Sequence, residues 1–484
     1  MKALIKNSLA IVAFIATVFT AQGQVKIGSN PTVITPTSNL EIEAANGHKT
    51  AVRKDNGFVG VGTVTPNTHL HVSEGNLSVT QAASNTFTSG IVGSASIGRG
   101  NQNRAVNTIT GGLGNIADGV NSLVIGLQNF TNSAGDQCFV FGQGNQATAV
   151  NSIAGGTSCL AAGNSSLALG LSTQATGARA AALGTSNLAQ GDNSMALGQN
   201  TQAIGSAAIS LGFDNRARGN ASIALGHQGQ ANGAAAVSLG NNNFAHGDAS
   251  FAAGLQNQAT GPVAFAFGYL CLASANTAIA MGKNAKATHA SSFVFADGVG
   301  ADLGSNGNNT MTMRFSGGTT IYSNGANNVG VRLAPNTTTW AGVSDIRAKK
   351  NITDLQSGLT AIMQLRPKKY HYKNTDDKHY SLGFIAQDVV KVLPDVVEVP
   401  EDKDQFMSIR YTEIIPVLTK AIQEQQAQIE ALQKENGQLK AQVTNAGNHS
   451  QELASLRSEL ETLKALVLKA NPAQKVSAVT DTKK

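Results

Sequence analysis

Glycine recurs every 14 residues along the middle of this chain, and a second glycine bisects many of these intervals. The main series is Gly98, Gly112, Gly126, Gly142, Gly156, Gly170, Gly184, Gly198, Gly212, Gly226, Gly240, Gly254, Gly268 and Gly282, with one two-residue insertion before Gly142. The second series is Gly163, Gly177, Gly191, Gly205, Gly219, Gly233, Gly247 and Gly261. A coiled coil is excluded, because each glycine would cost a helix about 1 kcal/mol relative to alanine. About fourteen coils of another kind are therefore encoded.

The residues before each main glycine alternate in size. Met195 and Leu197 flank Ala196, and Ile209 and Leu211 flank Ser210. This alternation predicts a strand with large side chains on one face and small ones on the other. The half-unit Gln202-Ala-Ile-Gly205 predicts a shorter strand, and glycine at both corners allows turns with positive φ. The pattern therefore predicts a narrow β-roll.

Other repeat architectures do not fit this spacing. Collagen needs glycine at every third position, and a propeller blade needs about 40 residues. With only 13% charged and 5% aromatic residues, the chain is poorly suited to one globular core. Because a narrow coil has little apolar area of its own, we expect several chains to share a core along a common axis.

The pattern Ser194-Met-Ala-Leu-Gly198 followed by Ala203-Ile-Gly205 resembles the head repeats of trimeric YadA-like adhesins, over residues 91 to 298. The resemblance implies a homotrimeric left-handed parallel β-roll, in a chain of mainly β class. Polar residues two positions after the main glycine would form exposed ladders: Asn200, Asp214, Gln228, Asn242 and Asn284. They are either solvated turns or a surface that binds a glycan or a protein.

The N-terminus predicts export. Residues 1 to 23 contain Lys2 and Lys6, a short apolar stretch and the small-residue site Ala21-Gln-Gly23, which is typical of a cleaved signal peptide. An N-terminal membrane anchor is the alternative, but spanning a bilayer takes about 20 apolar residues. We expect a mature chain without an integral membrane segment, in the periplasm, at the cell surface or outside the cell.

Charge and metal-ligand patterns argue against other classes of partner. The net charge is +6, but residues 91 to 298 hold seven Lys or Arg against six Asp, so no nucleic acid is expected. Cys138, Cys159 and Cys271 lack metal or disulfide spacing and are expected to be buried small residues. His69 and His71 could share a strand face but lack a third ligand, so neither a metal nor a cofactor is predicted.

The composition changes at Ser344 to a charged, helical tail. Its segments S-D-I-R-A-K-K-N-I (344 to 352), G-F-I-A-Q-D (383 to 388) and V-L-P (392 to 394) resemble the endosialidase-type intramolecular chaperone of phage tail spikes and fibres, over about residues 344 to 430. The resemblance implies a domain that trimerises, guides folding of the fibre and releases itself by autoproteolysis. It assigns Ser344 as the nucleophile and Lys349 as the general base.

The chemistry sets requirements on this Ser/Lys pair. A serine hydroxyl needs a base, and a lysine can serve only when desolvation or a nearby cation favours the neutral amine. Arg347 and Lys350 are candidate cations, and Asp345 opposes them. We expect a single-turnover cut at Val343 to Ser344 or at Ser344 to Asp345, with Asn351 also near the site. A chaperone domain that folds the trimer without cutting is the alternative.

Pattern in the tail also predicts its helices. Thr353-Asp-Leu-Gln predicts the start of a helix that ends before Pro367, and a second helical stretch runs from Gly383 to Pro394. A 3-4 spacing of apolar residues from Ile415 to Val443 predicts a coiled coil, with a break at residues 445 to 448 before a second run. Its Ile and Leu positions favour a dimer, so the trimer prediction rests on the two resemblances.

The expected domains are the signal peptide (1–23), a β segment (24–90), head repeats (91–298), a β neck (299–343), the chaperone domain (344–414), the coiled coil (415–470) and a polar tail (471–484). Three functions fit them: an exported trimeric adhesin-like fibre matured by its own tail, a structural surface fibre that keeps the tail as a clamp, and a phage-derived tail fibre. A diffusible hydrolase does not fit, because the roll shows no paired carboxylates or Ser/His/Asp arrangement.

Overall fold

A computed structural model describes residues 25–27, 34–43, 49–55, 57–66, 70–72, 77–80, 85–356, 358–373 and 378–470. The predicted signal peptide, the polar tail and His69 lie outside the described residues. The chain divides into two compact units, Met1–Val343 and Ser344–Lys484.

The first unit begins with a five-stranded sheet. Its strands are β1 (Val25–Ile27), β2 (Ser38–Glu43), β3 (Lys49–Arg53), β4 (Val59–Val61) and β5 (Leu70–Val72), in that order. The outer pairs β1/β2 and β4/β5 are parallel, and the two inner pairs are antiparallel. The Glu41 side chain is fully buried and forms ion pairs with Lys26 and Lys49.

A parallel β-solenoid follows, so the chain is mainly β as predicted. In the described chain, one sheet has seventeen strands, called here the wide sheet. They are Leu77–Thr80, Ala95–Arg99, Ile109–Leu113, Leu123–Leu127, Phe139–Gln143, Ile153–Thr157, Leu167–Leu171, Ala181–Thr185, Met195–Gln199, Ile209–Phe213, Ile223–His227, Val237–Asn241, Phe251–Leu255, Phe265–Tyr269, Ile279–Lys283, Phe293–Ala296 and Met311–Arg314. Three strands lie beyond the predicted glycine series.

The second, narrow sheet has sixteen shorter strands among the described residues. They are Thr86–Phe87, Gln102–Asn103, Ile116–Ala117, Phe130–Thr131, Gln146–Ala147, Leu160–Ala161, Gln174–Ala175, Leu188–Ala189, Gln202–Ala203, Arg216–Ala217, Gln230–Ala231, Phe244–Ala245, Gln258–Ala259, Leu272–Ala273, Ala285–Ala287 and Leu303–Gly304. Each strand pairs in parallel with the same position one coil later, as Gln202 pairs with Arg216. The 14-residue repeat is thus the register of both sheets.

The interior of each coil is filled by small side chains. Ala196 and Ala203 are fully buried, whereas Met195 points outward and is 41% exposed. The large residues of the alternating pattern therefore line the outer face of the wide sheet. The alternation of large and small faces is confirmed, and the apolar area it creates lies outside the coil.

The two glycine series differ in backbone conformation, although an added Cβ would clash with the next coil in both. Positive φ is confirmed for the main series, as at Gly198 with a φ of 120°. It is wrong for the second series, because the corner residues with left-handed φ lie two positions after each glycine, such as Asn200 and Ala207, both at 55°. A Cβ at Gly205 would instead lie 2.1 Å from the carbonyl oxygen of Gly219. The second series is glycine because neighbouring coils approach so closely.

Buried amides connect successive coils. Asn257 donates from Nδ2 to the carbonyls of Ala253 (2.8 Å) and Gly268 (2.7 Å), and its Oδ1 accepts the N–H of Cys271 (2.9 Å). All three cysteines are free and buried, as expected. Of the polar ladder predicted to be exposed, Asn284 is instead buried, at 7% exposure. Its side chain donates to the carbonyl of Gly300 (2.6 Å), since the roll continues beyond it.

The first unit ends in an antiparallel sheet of Thr319–Tyr322, Gly330–Leu333 and Trp340–Gly342. The second unit contains the helices α1 (Leu359–Gln364), α2 (Ala386–Val389) and α3 (Ile414–Ala470), and the 3₁₀ turns Ile346–Ala348, Pro394–Val396 and Tyr411–Glu413. Its strands form two short pairs: Lys368–Tyr370 with Ser381–Gly383, and Val397–Glu398 with Ser408–Ile409.

Two helix predictions for the tail are wrong. Helix α1 begins at Leu359 rather than near Thr353, because its first N–H groups are capped by the distant Glu424 carboxylate. Helix α3 runs unbroken for 57 residues through Gly447. An exposed glycine costs a helix only about 1 kcal/mol, which long helical flanks can offset.

Candidate functional site

The two predicted catalytic side chains meet at the start of the second unit. Lys349 Nζ donates to Ser344 Oγ at 2.8 Å. This is the distance needed for proton transfer between a nucleophile and its base. Both residues are exposed to solvent in the single chain.

A single 3₁₀ turn brings these residues together. The N–H groups of Ala348 and Lys349 donate to the carbonyls of Asp345 (3.0 Å) and Ile346 (3.1 Å). Asp345 caps the turn, because its Oδ1 accepts the backbone N–H of Arg347 at 2.8 Å. The chain therefore reverses between Ser344 and Lys349.

The predicted cation Arg347 is paired rather than free. Its Nε and Nη2 donate to Oδ1 (3.0 Å) and Oδ2 (2.7 Å) of Asp345. These bonds hold the pKa of Asp345 below its ordinary value. Asp345, which was expected to oppose the cation, therefore binds the Arg347 guanidinium, and this ion pair lies within the turn.

The remaining predicted neighbours flank the turn. Val343 is exposed, and its N–H donates to the carbonyl of Gly330 at 3.0 Å, which holds it to the last sheet of the first unit. Asn351 adopts a left-handed backbone with a φ of 55°, a conformation that asparagine tolerates better than most residues. The boundary between the two units falls at the Val343 to Ser344 peptide bond.

Residues outside the sequence motifs support the second unit. A small core contains Val389, Val396, Val397 and Ile414. Glu424, on helix α3, accepts the N–H groups of Gly358 (3.3 Å) and Leu359 (2.8 Å) through Oε2. The local sequence has no signal that identifies Glu424, because it lies more than sixty residues from its partners.

Comparison with protein families agrees with both halves of this description. Residues 344–398 match the family model described as the chaperone of endosialidase. Residues 161–187, 189–215 and 273–294 match the YadA head domain repeat. Two separate parts of the chain are thus similar to YadA-type head repeats and to an endosialidase-type chaperone domain. Both predicted resemblances are therefore confirmed, and Ser344 is the first residue of the chaperone match. No curated protein matches the chain.

These two domains support a trimeric adhesin or tail-fibre protein. The YadA-type repeats suggest a homotrimer at a surface or outside the cell. Among the residues with a described structure, no helix is long and apolar enough to cross a membrane. Within the same residues, no group of three or more His, Cys, Asp or Glu side chains could hold a metal ion.

Proposed function

We propose that this protein is an exported homotrimeric, adhesin-like fibre whose chaperone domain guides trimer folding and then cuts itself off. The observation that carries the proposal is the 2.8 Å contact between Lys349 Nζ and Ser344 Oγ. The pair lies at the start of the second unit, here called the chaperone unit (Ser344–Lys484), and a cut beside Ser344 would separate it from the first unit.

Trimer formation is supported by the outer face of the wide sheet. Ile97, Ile125 and Phe267 expose 53%, 42% and 47% of their surface on successive parts of the roll. Apolar residues that recur in this way along one face, interrupted by Gly111 and Gly155, mark an association surface. Two further copies of the same chain would cover it, since the pattern repeats with the coil and a second copy presents the same period.

The chaperone unit also exposes apolar surface. Along helix α3, the residues Ile422, Leu432 and Val443 are 64%, 57% and 71% exposed, at the spacing of a coiled-coil seam. A groove of about 320 Å³ beside it is lined by Ile362, Leu365, Pro367, Phe384, Tyr411, Ile414 and Leu418. Association of three helices would bury this seam and bring the tails together.

The proposed cut proceeds in two steps. Neutral Lys349 takes the Ser344 hydroxyl proton while Oγ adds to the carbonyl carbon; the C–N bond then breaks, and the amine leaves with a proton from Nζ. Water hydrolyses the ester and restores the hydroxyl.

The two candidate bonds differ in which copy can supply the nucleophile. Ser344 Oγ can reach the Val343 carbonyl of its own chain through a five-membered ring. Attack on its own carbonyl would close a strained four-membered ring. A cut at Ser344 to Asp345 would therefore use the hydroxyl of another copy in the trimer.

Mass spectrometry of the purified full chain tests the proposal. We expect an N-terminus at Gln24 and two fragments separated beside Ser344, with Ser344→Ala and Lys349→Ala leaving the chain whole. Ser323→Ala, at an exposed serine directly after the strand Thr319–Tyr322, is the matched control and should cleave normally. Unchanged fragments from Ser344→Ala would disprove the assigned nucleophile.

A non-cleaving fibre that keeps its tail as a clamp is the second candidate. It is favoured by the unbroken 57-residue helix α3 and by the solvent exposure of Lys349 in the single chain. An intact trimer that retains residues beyond Ser344 after prolonged incubation would identify this function.

A further inference from the structure

We propose that Asp345 is a positioning residue for the Ser344/Lys349 pair, acting through the 3₁₀ turn that it caps. The inference rests on the proposed autoproteolysis. In this role Asp345 orients the turn, which is distinct from counteracting the positive charges of Arg347 and Lys350 beside Lys349.

The pair depends on the turn. Five residues of extended chain span up to about 17 Å, farther than a lysine side chain can bridge. The reversal at Ile346–Ala348 removes this separation and places Nζ against Oγ. Anything that unfolds the turn therefore separates the base from the nucleophile.

Asp345 stabilises the turn at its first residue. Its backbone is extended, with φ of −67° and ψ of 137°, and its side chain accepts the Arg347 N–H. This is the arrangement of a helix N-cap, in which the side-chain oxygen replaces a missing backbone acceptor. The turn contains no buried residue, so packing within the chain contributes little to holding it.

Arg347 completes the arrangement by fixing the carboxylate. Its guanidinium binds both oxygens of Asp345 in a two-pronged contact, while 87% of its own side chain stays exposed. An exposed ion pair of this kind adds little to stability. Arg347 therefore acts as an orienting group for the cap, and the backbone hydrogen bond is the larger contribution.

Two substitutions separate the cap from the charge. Asp345→Asn keeps an oxygen that can accept the Arg347 N–H, since asparagine caps as well as aspartate, but removes the negative charge. Asp345→Ala removes both. If Asp345 acts by capping the turn, the asparagine variant should cleave within about twofold of the parent rate, whereas the alanine variant should cleave about fivefold more slowly.

The test follows cleavage of the full-length chain after refolding, by mass spectrometry, across pH. The asparagine and alanine variants lose the same negative charge and should share one pH midpoint, so the difference in rate between them reports the loss of the cap. Trimer mass in a Ser344→Ala background checks that each variant still assembles. A loss in the asparagine variant as large as in the alanine variant, or a difference in pH midpoint between the two variants that accounts for their rates, overturns the proposal.

The failures are distinguishable. If the parent chain never cleaves, the proposed function itself is wrong. If the parent cleaves and Asp345→Ala cleaves at the same rate and pH, the function stands and the positioning role is refuted. Cleavage lost in Ser344→Ala but only slowed in Asp345→Ala supports both.

Discussion

Replacing Gly205 by alanine should destabilise the roll although the backbone there suits any residue. Gly205 lies outside the left-handed region, so the new side chain costs no backbone strain. Its Cβ, however, would lie 2.1 Å from the carbonyl oxygen and 2.4 Å from the carbonyl carbon of Gly219. Ordinary van der Waals contact begins at 3.4 Å, so the two coils must separate locally by about an ångström.

The separation strains the hydrogen bonds between these coils. The nearest are Ile204 N–H to Ala217 O (2.8 Å) and Ala221 N–H to Ser206 O (2.7 Å). Each backbone bond contributes about 1 kcal/mol. Overpacking a tight interior adds roughly 1 to 3 kcal/mol. The free energy of unfolding should therefore fall by about 3 to 5 kcal/mol.

The assay is guanidinium unfolding of the full chain, followed by circular dichroism, with hydrogen exchange of the amides around residue 205. Gly317→Ala is the matched control, because a Cβ there meets no atom within 4 Å and its φ is not left-handed. The control should change stability by less than about 0.5 kcal/mol. Equal midpoints for the two variants would refute the close-approach explanation.

Three further predictions follow from other parts of the chain. Burial opposes ionisation of Glu41, but hydrogen bonds from Thr35, Lys49 and Lys26 outweigh it and lower its pKa from 4.5 to about 2. Because the pKa of the folded state is depressed, the carboxylate contributes about 3 kcal/mol of stability above pH 4.5, and this contribution is lost as the pH falls towards 2. The melting temperature should therefore fall less steeply over this pH range in Glu41→Gln than in the parent. Asn215→Ala removes side-chain bonds to Leu211 O (2.5 Å), Gly226 O (2.6 Å) and Gly229 N–H (2.7 Å), and should lower the unfolding free energy by about 1 to 3 kcal/mol. Gln190→Ala, at an exposed position whose backbone is not left-handed, should have little effect in the same denaturant titration. Leu432→Asp, in the exposed seam of helix α3, should weaken trimer association at least about tenfold in sedimentation experiments, because burying a carboxylate costs several kcal/mol. The neighbouring Gln433→Asp should leave association unchanged. A trimer unaffected by Leu432→Asp would show that the seam is not an interface.

Some features of the roll and of the site follow from local sequence. The 14-residue spacing sets the register of both sheets, since Met195 pairs with Ile209 and Gln202 with Arg216. The resemblance of residues 344 to 352 to the chaperone family pointed to Ser344 and Lys349, whose side chains lie 2.8 Å apart in the structure. Their catalytic role stays a prediction. The register prediction succeeds because it depends on periodicity alone, and the Ser/Lys contact was within reach of the sequence because the two residues lie a few positions apart.

Other features depend on contacts between distant residues and had no local signal. Sequence pattern placed the start of helix α1 near Thr353, but Glu424 decides it from another helix by capping Gly358 and Leu359. The pattern predicted positive φ for the second glycine series, whereas the next coil's carbonyl is what excludes a side chain at Gly205. Arg347 was expected to act on the lysine, and only the folded turn shows that its guanidinium is held by Asp345.

The sequence alone therefore determined the repeat and the strand alternation, because each depends on residues one coil or less apart, and it proposed the Ser/Lys pair from a local motif. Only the tertiary structure decided where the large side chains point, which glycines a neighbouring coil requires, and what orients the turn before Lys349. Those outcomes depend on the distance between atoms that the chain brings together from separate coils and helices.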